Sequence, residues 1–260
     1  MTPITICITT FKRRLELFKK LISSIRKLHP TVEILVAING ENEEPVDNIY
    51  RKDILSFISA QDNVIPVMFT EFRALSKLWN TLVIMSKTEY NLILNDDLIF
   101  NNPNLLTIID AVIQRYNIDL FTFNGSWSHF VVGKTILDKL GYFDERLLGH
   151  GEEDGDMVWR YFEMFGSYPP SFGVPEFQNL MEGYDIPTTN CESHVHNKPR
   201  FNVEFILKKY QDGDGGISGM FGRSMVKTDV GNKSQYPYEK FWMENKHNLK
   251  KFSEINLKNA

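Results

Sequence analysis

Through its first 124 residues the chain alternates short β-branched apolar runs with segments whose apolar side chains recur every three or four positions. That alternation is satisfied by few folds. The run Ile4 to Ile8 ends at Thr9-Thr10, and Leu15, Phe18, Ile22, Ile25 and Leu28 then follow helical spacing up to Pro30. Val32 to Ile38 is a second continuous apolar run, stopped by Asn39-Gly40. A helix near residues 46–59, a strand over Val64 to Phe69, a helix carrying Leu75, Leu78, Trp79 and Leu82, and a strand over Tyr90 to Leu94 continue the rhythm. Asn102 caps the next expected helix with Pro103 in its first turn, and Leu120 to Phe123 supplies a further strand. Continuous apolar strands separated by amphipathic helices predict an α/β fold: a mostly parallel, Rossmann-like sheet with helices on both faces.

Beyond residue 124 the rhythm changes to aromatic and Gly-rich segments, one clear helix over about Asp156 to Phe165, and a Pro-rich stretch from Pro169 to Pro175. The expected organisation is one domain over 1–210, with a donor half at about 1–124 and an acceptor half at about 125–210. Residues 211–260 are expected to form a Gly-rich loop or lid at Asp212 to Gly219 and a basic tail. Lys246, Lys250, Lys251 and Lys258 give that tail a face able to touch an anionic membrane. A chain of 260 residues that is 42% hydrophobic can build a large core without staples. Its 29 basic against 33 acidic residues exclude a polybasic nucleic-acid binder. Two cysteines make no disulfide framework, and no export signal or membrane span of ~18 apolar residues is read, so the expected location is cytoplasmic, peripheral to a membrane at most.

In an open parallel sheet, ligands sit beyond the carboxyl ends of the strands, which selects Thr9-Thr10-Phe11-Lys12-Arg13, Asn39-Gly40-Glu41 and Asn95-Asp96-Asp97. The last places two carboxylates inside an otherwise apolar stretch, where a cation would compensate them; a capped turn is the plainer explanation. A second cluster is Glu152-Glu153-Asp154-Gly155-Asp156, in a segment from Asp144 to Glu163 with seven acidic and two basic residues. Helix capping accounts for one or two of these carboxylates, and the excess points to a general base or to a polyhydroxylated ligand. His194 and His196, alternate on Cys191 to His196, are candidate metal ligands. Trp127, His129, Phe130, Trp159 and Tyr161 could stack on sugar faces, although such residues are more often core.

Taken in order, these segments resemble the GT-A type of nucleotide-sugar glycosyltransferase, in particular the large inverting family often called family 2. Ile6-Cys7-Ile8-Thr9-Thr10-Phe11-Lys12-Arg13 looks like its first strand and nucleotide-contacting loop, and Asn80 to Tyr90 like the helix leading into its metal motif. Asn95-Asp96-Asp97 takes the place of the Asp-x-Asp motif. Gly141-Tyr142-Phe143-Asp144-Glu145 and Gly151 to Asp156 resemble the acceptor-side segment, whose acidic run is closely similar in the galactosyltransferase branch. The chain departs from the pattern at Asn95 for Asp, at Trp79 where Arg usually precedes Asn80, and at Asn39 where an Asp commonly reads the base.

The resemblance implies inverting transfer of a sugar from a nucleotide diphosphate sugar, a UDP-sugar favoured, to a hydroxyl of a glycan or of a lipid- or protein-linked acceptor, as in polysaccharide biosynthesis. Asp97 would be the principal ligand of Mn²⁺ or Mg²⁺, with Asp96 near the ribose and Arg13, Arg73 or Lys77 near the diphosphate. Thr9, Thr10, Phe11, Asn39 and Asn95 would complete the donor site. Asp154 would be the base, and Glu153, Asp156 and Trp127 would hold the acceptor. Two rivals remain: a sugar nucleotidyltransferase, which needs a Gly-rich loop absent from Thr9 to Arg13, and a non-catalytic carbohydrate-binding protein of the same fold.

Overall fold

The computed structural model describes residues 1–10, 14–40, 48–149, 151–174, 177–179, 200–210 and 239–248. The expected lid at Asp212 to Gly219 and most of the basic tail lie outside them. Among the described residues no helix is long and apolar enough to cross a membrane. The chain divides into two units interleaved along the sequence: residues 1–72, 81–136 and 170–186 form the first, and 73–80, 137–169 and 187–260 the second.

The first unit is built on strands β1 (Ile4–Thr10), β2 (Ile34–Ile38), β3 (Val64–Met68), β4 (Tyr90–Asn95), β6 (Leu120–Phe123), β7 (Ser126–Gly133) and β8 (Ser171–Phe172), in the order β3-β2-β1-β4-β7-β6-β8. A short ladder pairs β5 (Leu98–Phe100) with β9 (Phe177–Asn179). Strands β1 to β4 are mutually parallel. Every residue of β1 and β2 is buried, as continuous apolar runs covered on both faces require. In β3 only Val64 is buried, and Pro66 is tolerated because the strand lies at the sheet edge and one row of its backbone groups needs no ladder partner. Helix α1 (Leu15–Leu28) buries Phe18, Leu21, Ile22 and Ile25, spaced so that one stripe faces the sheet. Helices α2 (Asn48–Ser59) and α4 (Leu105–Tyr116) do the same with Tyr50, Ile54 and Ile58, and with Leu105, Ile109, Val112 and Ile113.

Two local expectations change. Helix α4 starts at Leu105, because the Asn102 side chain turns back to accept the Asn104 N–H at 2.8 Å and makes a turn instead of a cap. The change of rhythm after residue 124 is a β-hairpin: β6 and β7 are antiparallel, joined by Asn124 (φ 52°) and Gly125 (φ 70°). Two consecutive left-handed residues give the turn whose twist matches a two-residue hairpin. It places β7 between β4 and β6, with Leu94 opposite His129.

In the second unit, α6 (Glu153–Phe165) buries Met157, Val158, Trp159 and Tyr161. It starts three residues before the expected Asp156, so the acidic run forms its first turn. Helix α3 (Leu75–Met85) enters this unit with its first turns, and α5 (Lys134–Leu140) with its last. The Asn80 side chain accepts the Phe143 N–H at 3.0 Å and donates to the Phe143 carbonyl at 2.9 Å and to Glu145 Oε1 at 3.0 Å. On α7 (Arg200–Tyr210), Asn202 ties the Leu148 N–H and carbonyl and the Gly151 carbonyl together, each at 2.7–2.8 Å. Helix α8 (Glu239–Asn245) runs into a short 3-10 turn at Lys246–Asn248.

Candidate active site

Parallel strands deliver their carboxyl ends to one edge of the sheet. The strand order reverses between β1 and β4, since β2 and β3 lie on one side of β1 and β4 on the other. This switch point is where open α/β sheets bind ligands. Thr9 there faces Asn95 across the ladder, and Asp96 and Asp97 form the two-residue turn between β4 and β5.

Both carboxylates are buried, Asp96 at 2% and Asp97 at 7% exposure. Arg14, the residue before α1, bridges them with one nitrogen: Nη1 donates to Asp96 Oδ1 at 2.9 Å and to Asp97 Oδ2 at 3.1 Å. Among the described residues, the other oxygens, Asp96 Oδ2 and Asp97 Oδ1, are buried with no close hydrogen-bond partner, as is His129 Nε2 on β7, and the Thr10 hydroxyl at the end of β1 lies near enough to Asp96 to lower its carboxyl. Each such atom costs about 1–3 kcal/mol if nothing binds it, so their gathering at the end of β4 and on the adjacent β7 marks a place shaped for an occupant. Burial pushes the Asp96 carboxyl up to about 6, Arg14 pulling it down and Asp97 adding to the rise. Burial pushes the His129 imidazole down to about 4 against the nearby charge of Asp97, so the ring is neutral. Its Nδ1 lies 2.7 Å from Ser128 Oγ, which lies 2.7 Å from Ser126 Oγ.

Two unpartnered carboxylate oxygens suit a hard divalent cation such as Mg²⁺ or Mn²⁺, which takes its remaining ligands from phosphate and water. Among the described residues no group of three His, Cys, Asp or Glu side chains comes together as a metal site. Among the described residues, Asp96 and Asp97 are the carboxylates that would hold such an ion.

In the second unit the acidic run opens α6. Gly151 (φ 116°) and Glu152 (φ 78°) turn the chain into the helix, and Glu153 Oε2 accepts the Gly151 N–H at 2.5 Å. Glu152, Glu153 and Asp156 are 2%, 4% and 1% exposed, whereas Asp154 is half-buried. Of the four carboxylates, Asp154 alone reaches solvent. Burial pushes the Glu153 carboxyl from its ordinary 4.5 up to about 8, with the Asp154 charge adding to the rise, so Glu153 holds its proton at neutral pH. The folded state then binds more protons than the unfolded state between these values, and stability falls as pH rises through that window. Glu153→Gln is accordingly expected to be more stable than the parent chain near pH 8 and to lose the advantage near pH 5. The difference changes by up to about 1.4 kcal/mol per pH unit. Urea unfolding of both proteins at pH 5.5 and 7.5 measures it, and parallel pH dependences would remove the assignment.

Behind the first turn lies a buried ion cluster. Lys209 of α7 donates to Asp144 Oδ2 at 2.9 Å and to Asp156 Oδ1 at 2.5 Å. Arg146 pairs with Asp144, and Arg160 with Asp156 Oδ2, while the Arg160 guanidinium also holds the Leu140 and Gly141 carbonyls. Burial raises the Asp144 carboxyl, but Lys209 and Arg146 outweigh it and hold the group well below the usual carboxylate range. Asp156 is lowered in the same way by Lys209 and Arg160. Lys209→Met would remove the cation that bridges two buried carboxylates. It is expected to lower the unfolding free energy by about 3 kcal/mol in denaturant titrations, and a loss below about 1 kcal/mol would deny the cluster that role.

No family model matches the sequence, and no curated protein matches it. Among solved structures, the mannosyltransferase PcManGT from Pyrobaculum calidifontis, in complex with GDP-Man and Mn²⁺, aligns with a TM-score of 0.58 at 10% identity, over 84% of this chain and 67% of that one. S. aureus TarS aligns at 0.51 and 13% identity over 81% of this chain, which spans 44% of the TarS chain. Its 1–349 portion aligns at 0.52 and 13% identity over 96% of this chain and 80% of that one. The fold is the GT-A fold. At these identities the likeness concerns the fold alone.

On this GT-A scaffold the residues expected to contact the donor fall in two places. Thr9, Thr10, Asn95, Asp96 and Asp97 meet at the β1–β4 switch point, and Asn39 ends the neighbouring β2, its Oδ1 accepting the Gly40 N–H at 2.9 Å. A Cβ on Gly40 would come within 2.1 Å of the Glu71 carbonyl carbon, so glycine lets that backbone close over the end of β2. Arg73 and Lys77 belong to the second unit, where Arg73 lies 4.8 Å over the Trp242 ring and Lys77 Nζ is 3.5 Å from Glu145 Oε2. Trp127, half-buried on β7, packs on Phe130 at 4.9 Å. Phe11, Arg13, His194 and His196 lie outside the described residues. Asp156, expected to hold an acceptor, has both oxygens engaged in the ion cluster. Phe130 and Trp159, at 0% and 1% exposure, are core and present no face to a sugar.

Sequence reasoning missed Arg14 and gave His129 a different task. The basic triplet at residues 12–14 signalled a cation at this strand end, and the Asn124-Gly125 hairpin signal would have laid His129 beside β4.

Proposed function

We propose that the protein is a glycosyltransferase that moves a sugar from a nucleotide diphosphate sugar to an acceptor hydroxyl, with divalent-metal assistance and inversion. The observation that carries the reading is the Asp96–Asp97 pair, buried at the switch point of a GT-A sheet with one unpartnered oxygen on each carboxylate. PcManGT, of the same fold, is described with GDP-Man and Mn²⁺.

Thr9, Thr10, Asn39 and Asn95 line the edge where the nucleotide would lie, and Asp96 and Asp97 would hold the divalent ion beside it. When bound, the ion neutralises the charge growing on the leaving diphosphate. Asp154 takes the proton of the acceptor hydroxyl as that oxygen attacks the anomeric carbon from the face opposite the leaving group, which inverts the centre. Its place in the first turn of α6 gives the base a rigid support. Glu153, protonated at neutral pH, does not compete for the proton and can donate a hydrogen bond beside it. The acceptor class, a glycan or a lipid- or protein-linked hydroxyl, and any contact of the basic tail with a membrane belong to this proposal as well.

The test is a thermal-shift panel of UDP- and GDP-sugars with and without Mn²⁺, followed by an assay for released nucleoside diphosphate. A donor that binds the folded state raises the midpoint by mass action. One donor should stabilise the protein in a metal-dependent way and be turned over. A panel in which no nucleotide sugar shifts the midpoint overturns the proposal, and a donor that binds without turnover would favour a carbohydrate-binding role on the same fold.

A further inference from the structure

His129 is the buried group beside the acid pair to which the proposed reaction gives no task. Its ladder partner is Leu94, which Asp97 follows by three residues. Phe177 of β9 packs on the imidazole at 4.6 Å and 31°, and β9 pairs with β5, the strand into which Asp97 leads. Packing therefore fixes the ring plane, and only 5% of the residue is exposed. Three hydrogen bonds lead up to it. The Ser128 N–H donates to Ser126 Oγ at 3.2 Å, the two serine hydroxyls lie 2.7 Å apart, and Ser128 Oγ lies 2.7 Å from His129 Nδ1. Among the described residues His129 Nε2 has no partner, and neither has Asp97 Oδ1.

The hydroxyl chain can run in either direction. Toward the ring, Ser128 donates to Nδ1 and leaves Nε2 carrying the proton; away from the ring, Nδ1–H donates to Ser128 and Nε2 keeps a lone pair. The charge of Asp97 acts on this imidazole, and a negative charge favours an N–H over a lone pair in its field. The direction toward the ring also uses each serine hydroxyl once as acceptor and once as donor.

We propose that Ser126, Ser128 and His129 form a one-way chain of hydrogen-bond donors that ends on Asp97, the His129 Nε2–H reaching Asp97 Oδ1 through one buried water. His129 is then the positioning residue that orients this metal ligand. The proposal rests on the glycosyltransferase reading for the metal itself. A donor and an acceptor that are both buried and unmatched are what a structural water bridges. Each bond in such a chain polarises the next, so the last donor is strengthened by the two serines behind it. Among the described residues no group of three His, Cys, Asp or Glu side chains gathers as a metal site, so the ring acts behind Asp97 and is not itself a ligand. Partners of that kind fix the direction in which a ligand oxygen presents its remaining lone pair.

The experiment starts with the full chain labelled with ¹⁵N-histidine and free of metal. Of its six histidines, His129 gives the signals that vanish in His129→Gln. Its Nε2 should carry the proton and its Nδ1 should not; an unprotonated Nε2 overturns the proposal. Mn²⁺ binding is then measured by electron paramagnetic resonance for the parent chain, His129→Phe and His129→Gln, with the thermal midpoint of each. Phenylalanine keeps a ring against Phe177 and removes the donor. It should weaken Mn²⁺ binding by about tenfold or more, the scale of losing a partner behind a metal ligand. The midpoint should not fall, because the nitrogen removed is one that burial penalises. Glutamine, whose amide can donate in place of Nε2–H, should stay within about threefold of the parent affinity. Equal loss of affinity in both variants marks a packing role and overturns the proposal. If His129→Phe does not fold, His129→Gln decides: affinity retained supports the proposal, and affinity lost overturns it. Unchanged Mn²⁺ binding in His129→Phe overturns the proposal and leaves the glycosyltransferase reading standing. A parent chain that binds no Mn²⁺ overturns the proposal together with the metal-assisted reading beneath it.

Discussion

Asp97→Ala is expected to lower sugar transfer by at least about 10³-fold, the scale on which removing a group that stabilises charge at the reacting centre is felt. The substitution deletes one of the two unpartnered oxygens at the end of β4 and leaves the metal with a single protein carboxylate. The fold should survive, because Asp96 still pairs with Arg14 at 2.9 Å and no buried charge is orphaned. The measurement is nucleoside diphosphate release under saturating Mn²⁺, with circular dichroism and the thermal midpoint as controls. Full activity in Asp97→Ala, or in the parent chain under excess chelator, would show that leaving-group charge is neutralised by the protein without a metal.

Asp154→Asn is expected to lower turnover by about 10² to 10⁴, the usual contribution of a general base, while donor affinity stays nearly unchanged. The case rests on exposure within the acidic run. Glu152, Glu153 and Asp156 are buried, Glu153 keeps its proton at neutral pH, and Asp156 is engaged by Lys209 and Arg160. Asp154 is left as the carboxylate an acceptor can reach. Asparagine keeps the size and can still accept the Gly155 N–H that Asp154 accepts at 2.8 Å, so the helix start should be retained. Near-normal turnover in this variant, together with its loss in Glu152→Gln, would move the base to Glu152.

The parallel core was legible because β1 and β2 are unbroken apolar runs and α1 carries a clean apolar stripe; periodicity states such elements directly. The strand-end rule then pointed to Thr9, Thr10 and Asn95 to Asp97 before any coordinates. The antiparallel hairpin was also written in the sequence, as Asn124-Gly125 between two apolar runs. What the pattern does not contain is which cation of a basic triplet turns inward. Arg14 is set by where α1 begins, and it meets carboxylates 82 and 83 residues away. The fate of Asp156 was hidden for the same reason: Lys209 lies 53 residues further on, and helical spacing says nothing about so distant a partner.

That distance orders events during synthesis. Asp144 and Asp156 each have an arginine close by in the chain, Arg146 two residues on and Arg160 four residues on, and both pairs can form as soon as the first turns of α6 exist. Lys209 leaves the ribosome 53 residues after Asp156, about 3–10 s later at ordinary elongation rates of about 5–20 residues per second. For that interval the two carboxylates wait without the lysine that bridges them. The local arginines keep the nascent segment tolerable, and the lysine on α7 is the bolt shot last.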